Sequence, residues 1–179
     1  MSEFKDNEVA KANHLVLVDT SSFLYRAFHA LPDLRSDVGF PTGAITGIVT
    51  MLKKVSYQAP ADFCVCVFDP VGKTFRDEIF SSYKANRSSM PSDLAVQIPV
   101  IFNLIQALGW PIIQKDGYEA DDVIGSLVRS AESVSLVSTI ISGDKDLAQL
   151  VNSKTRMIDT MSRGSSGITI VDEAAVIKK

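Results

Sequence analysis

Residues 63–68, FCVCVF, form a continuous apolar run that ends at Asp69-Pro70. Apolar, β-favouring side chains at nearly every position predict a strand covered on both faces, and such strands are typical of parallel sheets between two helical layers. Cys64 and Cys66 face the same side of this strand, so we expect two small buried side chains and no disulfide between them. The run therefore predicts an interior strand of a parallel sheet.

Strand and helix patterns alternate along the rest of the chain. Further strands are predicted at 14–18, 110–113 and 136–141, and 156–158 could pair with 167–171 around a Ser- and Gly-rich turn at 162–167. Helices are predicted at 23–30, 43–57, 94–108 with a kink or break at Pro99, 123–128, 147–151 and 172–179. This alternation predicts an α/β fold with a mainly parallel central sheet and helices on both faces.

The composition is typical of a globular protein with one core. The chain has 179 residues, of which 46% are hydrophobic and 22% charged, and its net charge of −3 argues against non-specific binding to nucleic acid. We expect one domain at 14–179 after a flexible polar tail at 1–13. No apolar run reaches the ~18 residues that cross a bilayer, so we expect a cytoplasmic protein without membrane contact.

Acidic residues recur where the predicted strands end and where one helix begins. The carboxyl ends of parallel strands share one edge of a sheet, and ligands bind at that edge in such folds. Each acid alone could be only a helix N-cap or a first-turn acid that favours the helix dipole. Together they would gather up to seven carboxylates at one edge: Asp19, Asp69, Glu119, Asp121, Asp122, Asp144 and Asp146.

Carboxylates at this density need a cation or protons. Two like charges ~4 Å apart repel by roughly 4 kcal/mol at an intermediate dielectric constant. Many oxygen ligands without His or Cys favour Mg²⁺ or Mn²⁺ over zinc. Two such ions could activate a water and stabilise the leaving oxygen in phosphodiester hydrolysis, so no Ser, Cys or His nucleophile would be needed.

A basic segment at 73–87 is the second candidate feature. If it formed one helix, a single face would carry Lys73, Arg76, Tyr83, Lys84 and Arg87. Basic side chains with an aromatic residue among them suit a nucleic-acid backbone. A solvated helix face with scattered charge explains the same pattern.

Four segments in a fixed order also carry a family resemblance: LVDTSSFLYRAFHALP, VFDPVGKTFRDEIFSSYKANRSSMP, GYEADDVIGSL and STIISGDKDLAQLV. They resemble the 5′-nuclease domain at the N-terminus of bacterial DNA polymerase I, within the flap endonuclease-like, PIN-related superfamily. The resemblance begins at residue 14 and extends beyond residue 160. It implies a PIN-like fold with a helical arch over the active site.

The resemblance implies a metal-dependent 5′→3′ exonuclease and structure-specific 5′-flap endonuclease that hydrolyses DNA and RNA-primer phosphodiesters in replication and repair. It implies that the seven acids hold two Mg²⁺ or Mn²⁺ ions. It also implies that Arg76, Tyr83 and Lys84 act in catalysis, with Lys84 near the scissile phosphate. The residues implied to contact nucleic acid are Lys73, Arg76, Tyr83, Lys84 and Arg87.

The resemblance also carries expectations about partners. Implied partners are DNA with a 5′ flap or 5′ end, RNA–DNA primer junctions and covalently linked polymerase domains, and we expect a monomer at the bacterial nucleoid. Relatives of this type continue into two further metal-site aspartates and a helix-hairpin-helix region, which we expect this chain to lack.

Two other functions stay open. If the missing ligands and duplex clamp are essential, the chain is a nucleic-acid-binding fragment with little or no catalysis. A third hypothesis makes Asp19 the nucleophile of a phosphatase-like domain, but it leaves the basic segment and residues 119–122 without a role.

Overall fold

A computed structural model describes residues 13–84, 89–159 and 169–177. Its strands are β1 (His14–Asp19), β2 (Phe63–Phe68), β3 (Ile112–Gln114), β4 (Val137–Ile141), β5 (Thr155–Asp159) and β6 (Thr169–Val171). Its helices are α1 (Thr20–Ala30), α2 (Gly43–Gln58), α3 (Phe75–Ile79), α4 (Ser92–Ala95), α5 (Ile98–Ala107), α6 (Ala120–Ser133) and α7 (Glu173–Ile177), with a 3₁₀ helix at Asp146–Leu150.

The strands form one sheet in the order β3-β2-β1-β4-β5-β6. Neighbouring strands are parallel except β5 and β6, which pair antiparallel as a hairpin or edge pair predicts. The predicted α/β fold with a mainly parallel sheet is therefore confirmed. Strand β2 is interior and parallel to both neighbours, but burial along it is limited to residues 66–68, the three that also pair with β3.

Two apolar layers cover the two faces of the sheet. On one face, α1, α2 and α5 pack against alternate strand residues such as Val16, Val18 and Cys66. On the other face, α6 and the 3₁₀ helix pack against Leu17 and Ile140. Successive strand residues point to opposite faces, so a continuous apolar run supplies both layers. Packing on both faces holds the strand ends in fixed relative positions.

The order of the strands reverses at β1, which has β2 on one side and β4 on the other. Asp19 is the last residue of β1, Asp69 follows β2 directly, and Asp144 follows shortly after β4. Because these three strands are parallel neighbours, their terminal acids meet at one edge of the sheet. This is the place where open α/β sheets bind ligands.

The segment 73–87 is not one helix, contrary to the helical stripe considered above. Helix α3 ends after Ile79, Phe80 has an extended backbone with φ −140°, and residues 81–84 form a turn. Helix α3 buries no side chain, and a short helix without a buried face has little to extend it. Residues 85–88, which include Arg87 and the remainder of the expected arch, lie outside the described residues.

Other boundaries differ in smaller ways. The helical pattern at 94–108 is broken into α4 and α5, and Pro99 lies in the first turn of α5, where its missing N–H leaves no helical bond unmade. The segment 147–151 forms a 3₁₀ helix instead of an α-helix. The predicted turn at 162–167 and residues 1–12 of the predicted tail lie outside the described residues. Asn13, the last residue of that tail, donates its backbone N–H to the Asp62 carboxylate. In the part of the chain that is described, no helix has the length and apolar character to cross a membrane.

Candidate active site

A cavity of about 530 Å³ opens at the carboxyl ends of β1, β2 and β4. Its walls come from α1, from the start of α6 and from the loop after β4. Five of the seven predicted acids line it, together with two basic side chains. These residues are Asp19, Asp69, Glu119, Asp121, Asp144, Arg26 and Lys84.

Asp19 is fixed at the floor of the cavity. It is only 3% exposed, accepts from the backbone N–H of Ser22 at 3.2 Å, and accepts from the Ser142 hydroxyl at 2.6 Å. Ser142 Oγ in turn accepts from the backbone N–H of Asp144 at 3.0 Å. Burial raises the pKa of Asp19 despite these hydrogen bonds, and the charges of Asp69 and Asp144 raise it further. Ionising Asp19 is therefore electrostatically unfavourable in this site.

Asp69 joins β2 to the start of α6. Its carboxylate accepts from the backbone N–H of Ala120 at 2.8 Å, and its own N–H donates to Ser21 Oγ at 2.8 Å. A carboxylate at a helix N-terminus satisfies a backbone donor that has no partner within the helix. This bond brings the first turn of α6, which carries Asp121, to the edge of the sheet.

Asp121, in the first turn of α6, lies among the other acids of the cavity. Burial raises its pKa, and the charges of Asp19, Asp144, Asp69 and Glu119 raise it further, to about 6. The cavity therefore carries more negative charge than its own basic groups neutralise.

Glu119 is the acid that contacts the basic segment. Lys84 Nζ donates to one of its oxygens at 2.6 Å, and the Tyr83 hydroxyl donates to the other at 3.1 Å. Lys84 reaches this position with a backbone φ of +52°, a left-handed conformation that is unfavourable for a residue with a side chain. The basic segment thus meets the cavity through Glu119.

Asp122 and Asp146, which the sequence also suggested as ligands, are not among the residues that line the cavity. Arg76 binds both carboxylate oxygens of Asp122, at 2.5 and 2.8 Å, and this pair lowers the pKa of Asp122. Asp146 is exposed, and its backbone N–H donates to Asp144. Lys73 is exposed on the segment before α3.

The donor set of the cavity fits a divalent cation in its chemistry: five carboxylates, no His and no Cys. Their mutual repulsion contributes to the raised pKa of Asp19 and of Asp121, and a bound cation would relieve it. Within residues 13–84, 89–159 and 169–177, however, no three acidic, His or Cys side chains are arranged so that they could hold an ion. The metal site therefore remains a prediction.

The structure adds residues that the sequence analysis did not select. Ser21 and Ser142 orient Asp69 and Asp19, and Arg26 donates to the backbone oxygen of Gly143 at 3.0 Å. Ser21 follows Asp19 closely and Ser142 precedes Asp144, so their nearness to the predicted acids was an available signal. The partner of Arg26 lies far along the chain, and no local pattern indicates it.

Gly143 lies so close to Arg26 that a side chain there fits only if the guanidinium moves. A Cβ added there would stand 1.9 Å from Arg26 Nη1 and 2.5 Å from its Cζ. We expect Gly143→Ala to displace the guanidinium, break its bond to the loop that carries Asp144, and lower stability by ~0.5–1 kcal/mol, since the flexible Arg26 side chain can move aside. Thermal unfolding measures this, and the loss should shrink in an Arg26→Ala background, where the clash is absent.

Gly125→Ala is the matched control, because its added Cβ would make only ordinary contacts, the nearest at 3.8 Å to Leu150. Within helix α6 this change should be neutral or stabilising by up to ~1 kcal/mol. An equal loss of stability in both variants would contradict the steric argument for Gly143.

The raised pKa of Asp121 predicts a pH-dependent effect on stability. Its folded-state pKa of about 6 exceeds the ordinary value of 3.8, so folding favours the protonated form. The energetic penalty is absent below about pH 4, grows up to about pH 6 and is constant above it. In chelator-containing buffer, Asp121→Asn should therefore stabilise the fold by ~1–2 kcal/mol near pH 7 and by almost nothing near pH 4. Denaturant unfolding at both pH values measures this, and a stabilisation independent of pH would refute the assignment.

Two solved structures of the T5 D15 protein share this fold. The T5 D15 protein co-crystallised with metal ions superposes with a TM-score of 0.74 at 17% identity, over 93% of this chain and 60% of that one. The bacteriophage T5 D15 flap endonuclease, in a pseudo-enzyme-product complex with DNA and metal ions, superposes with a TM-score of 0.64 at 17% identity, over 89% and 58%. At this identity the likeness concerns the fold.

Sequence relatives define the family. DNA polymerase I of Pseudomonas aeruginosa is 51% identical over 148 residues, which are 83% of this chain and 16% of that protein. The 5′-3′ exonuclease of Aquifex aeolicus is 42% identical over 148 residues, which are 83% of this chain and 51% of that protein. The chain thus spans between a sixth and about half of these relatives. Residues 14–179 match the family described as 5′-3′ exonuclease, N-terminal resolvase-like domain, and the chain belongs to that family.

Proposed function

We propose that this chain is the catalytic part of a metal-dependent 5′→3′ exonuclease and 5′-flap endonuclease. The observation that carries the proposal is the cavity at the strand ends, where five carboxylates face Lys84. Clustered acids suit divalent metal ions, and a lysine beside them suits a phosphate. Relatives named DNA polymerase I and 5′-3′ exonuclease support this chemistry.

In this proposal the acids of the cavity hold Mg²⁺ or Mn²⁺, with two ions expected in the complete site. The proposed ligands are Asp19, Asp69, Glu119, Asp121 and Asp144. Bound ions would supply an activated water and stabilise charge on the leaving oxygen. Ser142 and the backbone of Ala120 keep Asp19 and Asp69 oriented toward the cavity.

Lys84 and Tyr83 are the proposed catalytic residues of the basic segment. Both now contact Glu119, so the Lys84 ammonium stands at the rim of the acidic cavity. There it would stabilise the negative charge that develops on a phosphate during cleavage. Lys73, exposed before α3, and Arg87 are proposed to contact the nucleic-acid backbone.

The proposed substrates are DNA with a 5′ flap or 5′ end and RNA–DNA primer junctions. The proposed setting is the bacterial nucleoid, where the chain would act as a monomer joined to polymerase domains.

The phosphatase-like alternative is disfavoured, because Asp19 is buried and both of its oxygens accept hydrogen bonds. A binding fragment without catalysis remains the second candidate. It is supported by the lack of any ready-made group of three ligands among the described residues.

Cleavage of a labelled 5′-flap DNA tests the proposal directly. We expect cutting with Mg²⁺ or Mn²⁺ and none with EDTA, while the same DNA is left intact by heat-unfolded protein. Folded protein that binds the flap but does not cut it with either ion would overturn the enzymatic proposal and support the binding fragment.

A further inference from the structure

Arg76 is one of the residues predicted to contact DNA, but in the structure its guanidinium binds a carboxylate of the protein. Nη1 and Nη2 donate to the two oxygens of Asp122 at 2.5 and 2.8 Å, and Nη1 lies 3.7 Å from Glu119. The guanidinium carbon also lies 4.7 Å from the centre of the Phe75 ring. An arginine paired in this two-pronged way has its hydrogen-bonding directions fixed by the protein.

We propose that Arg76 is a positioning residue whose pair with Asp122 holds α3 and the turn at 81–84 against the N-terminus of α6. The inference rests on the proposed function for its catalytic consequence. Its structural part, the anchoring of the segment, stands independently. The pair acts on catalysis through Lys84 and Tyr83, which it keeps beside Glu119.

The need for such an anchor follows from the packing of α3. The helix has five residues and buries none of them, so hydrophobic contact contributes little to its position. Its start is tied to Gly117, whose backbone oxygen accepts from Phe75 N–H at 2.9 Å. Beyond that point, the Arg76–Asp122 pair is a charged contact that joins α3, through its second residue, to α6.

Asp122 transmits the restraint to the cavity. One of its oxygens also accepts from the backbone N–H of Glu119 at 3.0 Å, within a capping box at the start of α6. The same carboxylate therefore fixes both Arg76 and the backbone of the acid that Lys84 contacts. The pair is partly shielded, with side-chain exposures of 30% and 23%, so solvent screens it less than a surface ion pair.

A direct phosphate contact by Arg76 is the competing assignment. It would require the guanidinium to leave two charge-assisted hydrogen bonds and to leave Asp122 partly shielded without its partner. The two assignments predict opposite results, because an anchor is internal to the protein and a phosphate contact displaces counterions from DNA.

Hydrogen exchange without DNA or metal tests the anchor apart from any activity. The backbone N–H of Phe80 donates to Arg76 O, and that of Tyr83 donates to Phe80 O, each at 2.8 Å, so both amides report on the segment. Arg76→Ala and Asp122→Asn should each speed exchange there about tenfold, and the double variant no further. Arg35→Ala removes an exposed arginine that pairs with Asp33 and Asp93, and it should leave both amides unchanged.

Binding and kinetics then separate anchor from phosphate contact. Arg76→Ala should lower kcat of flap cleavage, while the slope of log affinity for DNA against log salt concentration stays unchanged. Arg76→Lys should behave in the same way, because lysine cannot form the two-pronged pair with Asp122. Lys73→Ala, the matched control, should reduce that slope by about one. Unchanged exchange in Arg76→Ala, or a reduced slope with rescue by Arg76→Lys, would overturn the inference. Faster exchange without any cleavage by the wild type would leave the anchor standing and refute only the proposed function.

Discussion

Asp121→Asn should lower the rate of metal-dependent 5′-flap DNA cleavage by about 100-fold or more. Its affinity for the flap should stay equal or rise. The pKa of Asp121 is raised, because burial and four other carboxylates oppose its charge. A cation bound beside Asp121 would relieve that repulsion. Removing its charge also removes a source of repulsion for DNA phosphates. Single-turnover cleavage and fluorescence anisotropy measure the two quantities.

Asp116→Asn is the control for Asp121→Asn, since Asp116 is exposed and is not among the residues that line the cavity. It should cleave like the wild type. If Asp121→Asn lost affinity and cleavage in parallel, or melted well below the wild type at neutral pH, its role would be structural and the ligand assignment would fail.

Lys84→Ala should reduce the cleavage rate by about 100-fold and lower stability by no more than ~1 kcal/mol. The ammonium that donates to Glu119 is the group proposed to meet the reacting phosphate, whereas its side chain is 32% exposed and contributes little to the core. The left-handed backbone at Lys84 is unfavourable for any L residue with a Cβ, so the substitution leaves that strain in place. Cleavage at saturating DNA measures the rate, and a thermal melt measures the stability.

Lys53→Ala tests whether loss of any exposed lysine has this effect. Lys53 lies on the exposed side of α2 and should lose neither rate nor stability. A Lys84→Ala protein that melts many degrees lower, or cleaves at the wild-type rate, would contradict a catalytic role for this side chain.

Several features of the fold were predictable because they depend on local pattern. A continuous apolar run signals a strand covered on both faces, and FCVCVF is indeed an interior parallel strand. The helical pattern at 94–108 breaks at residues 96 and 97, just ahead of Pro99, because the missing backbone donor of proline is tolerated in the first turn of a helix. The one-helix arrangement considered for 73–87 does not form, since α3 ends at Ile79 and the spacing of charged residues does not show whether a helix has a face to bury.

The same distinction applies to the candidate site. The sequence alone determined that Asp19, Asp69 and Asp144 would meet at one edge, because strand ends in a parallel sheet share a side. Tertiary structure alone decided which acids face the cavity and which are engaged elsewhere, as Asp122 is by Arg76 across a separation of 46 residues. Strand periodicity depends on neighbouring residues and can be recognised in the sequence, whereas pairing between distant side chains depends on how helices pack on the sheet. For that reason the sequence located the acidic edge, and only the folded chain revealed that Arg76 contacts one of the acids predicted to lie there.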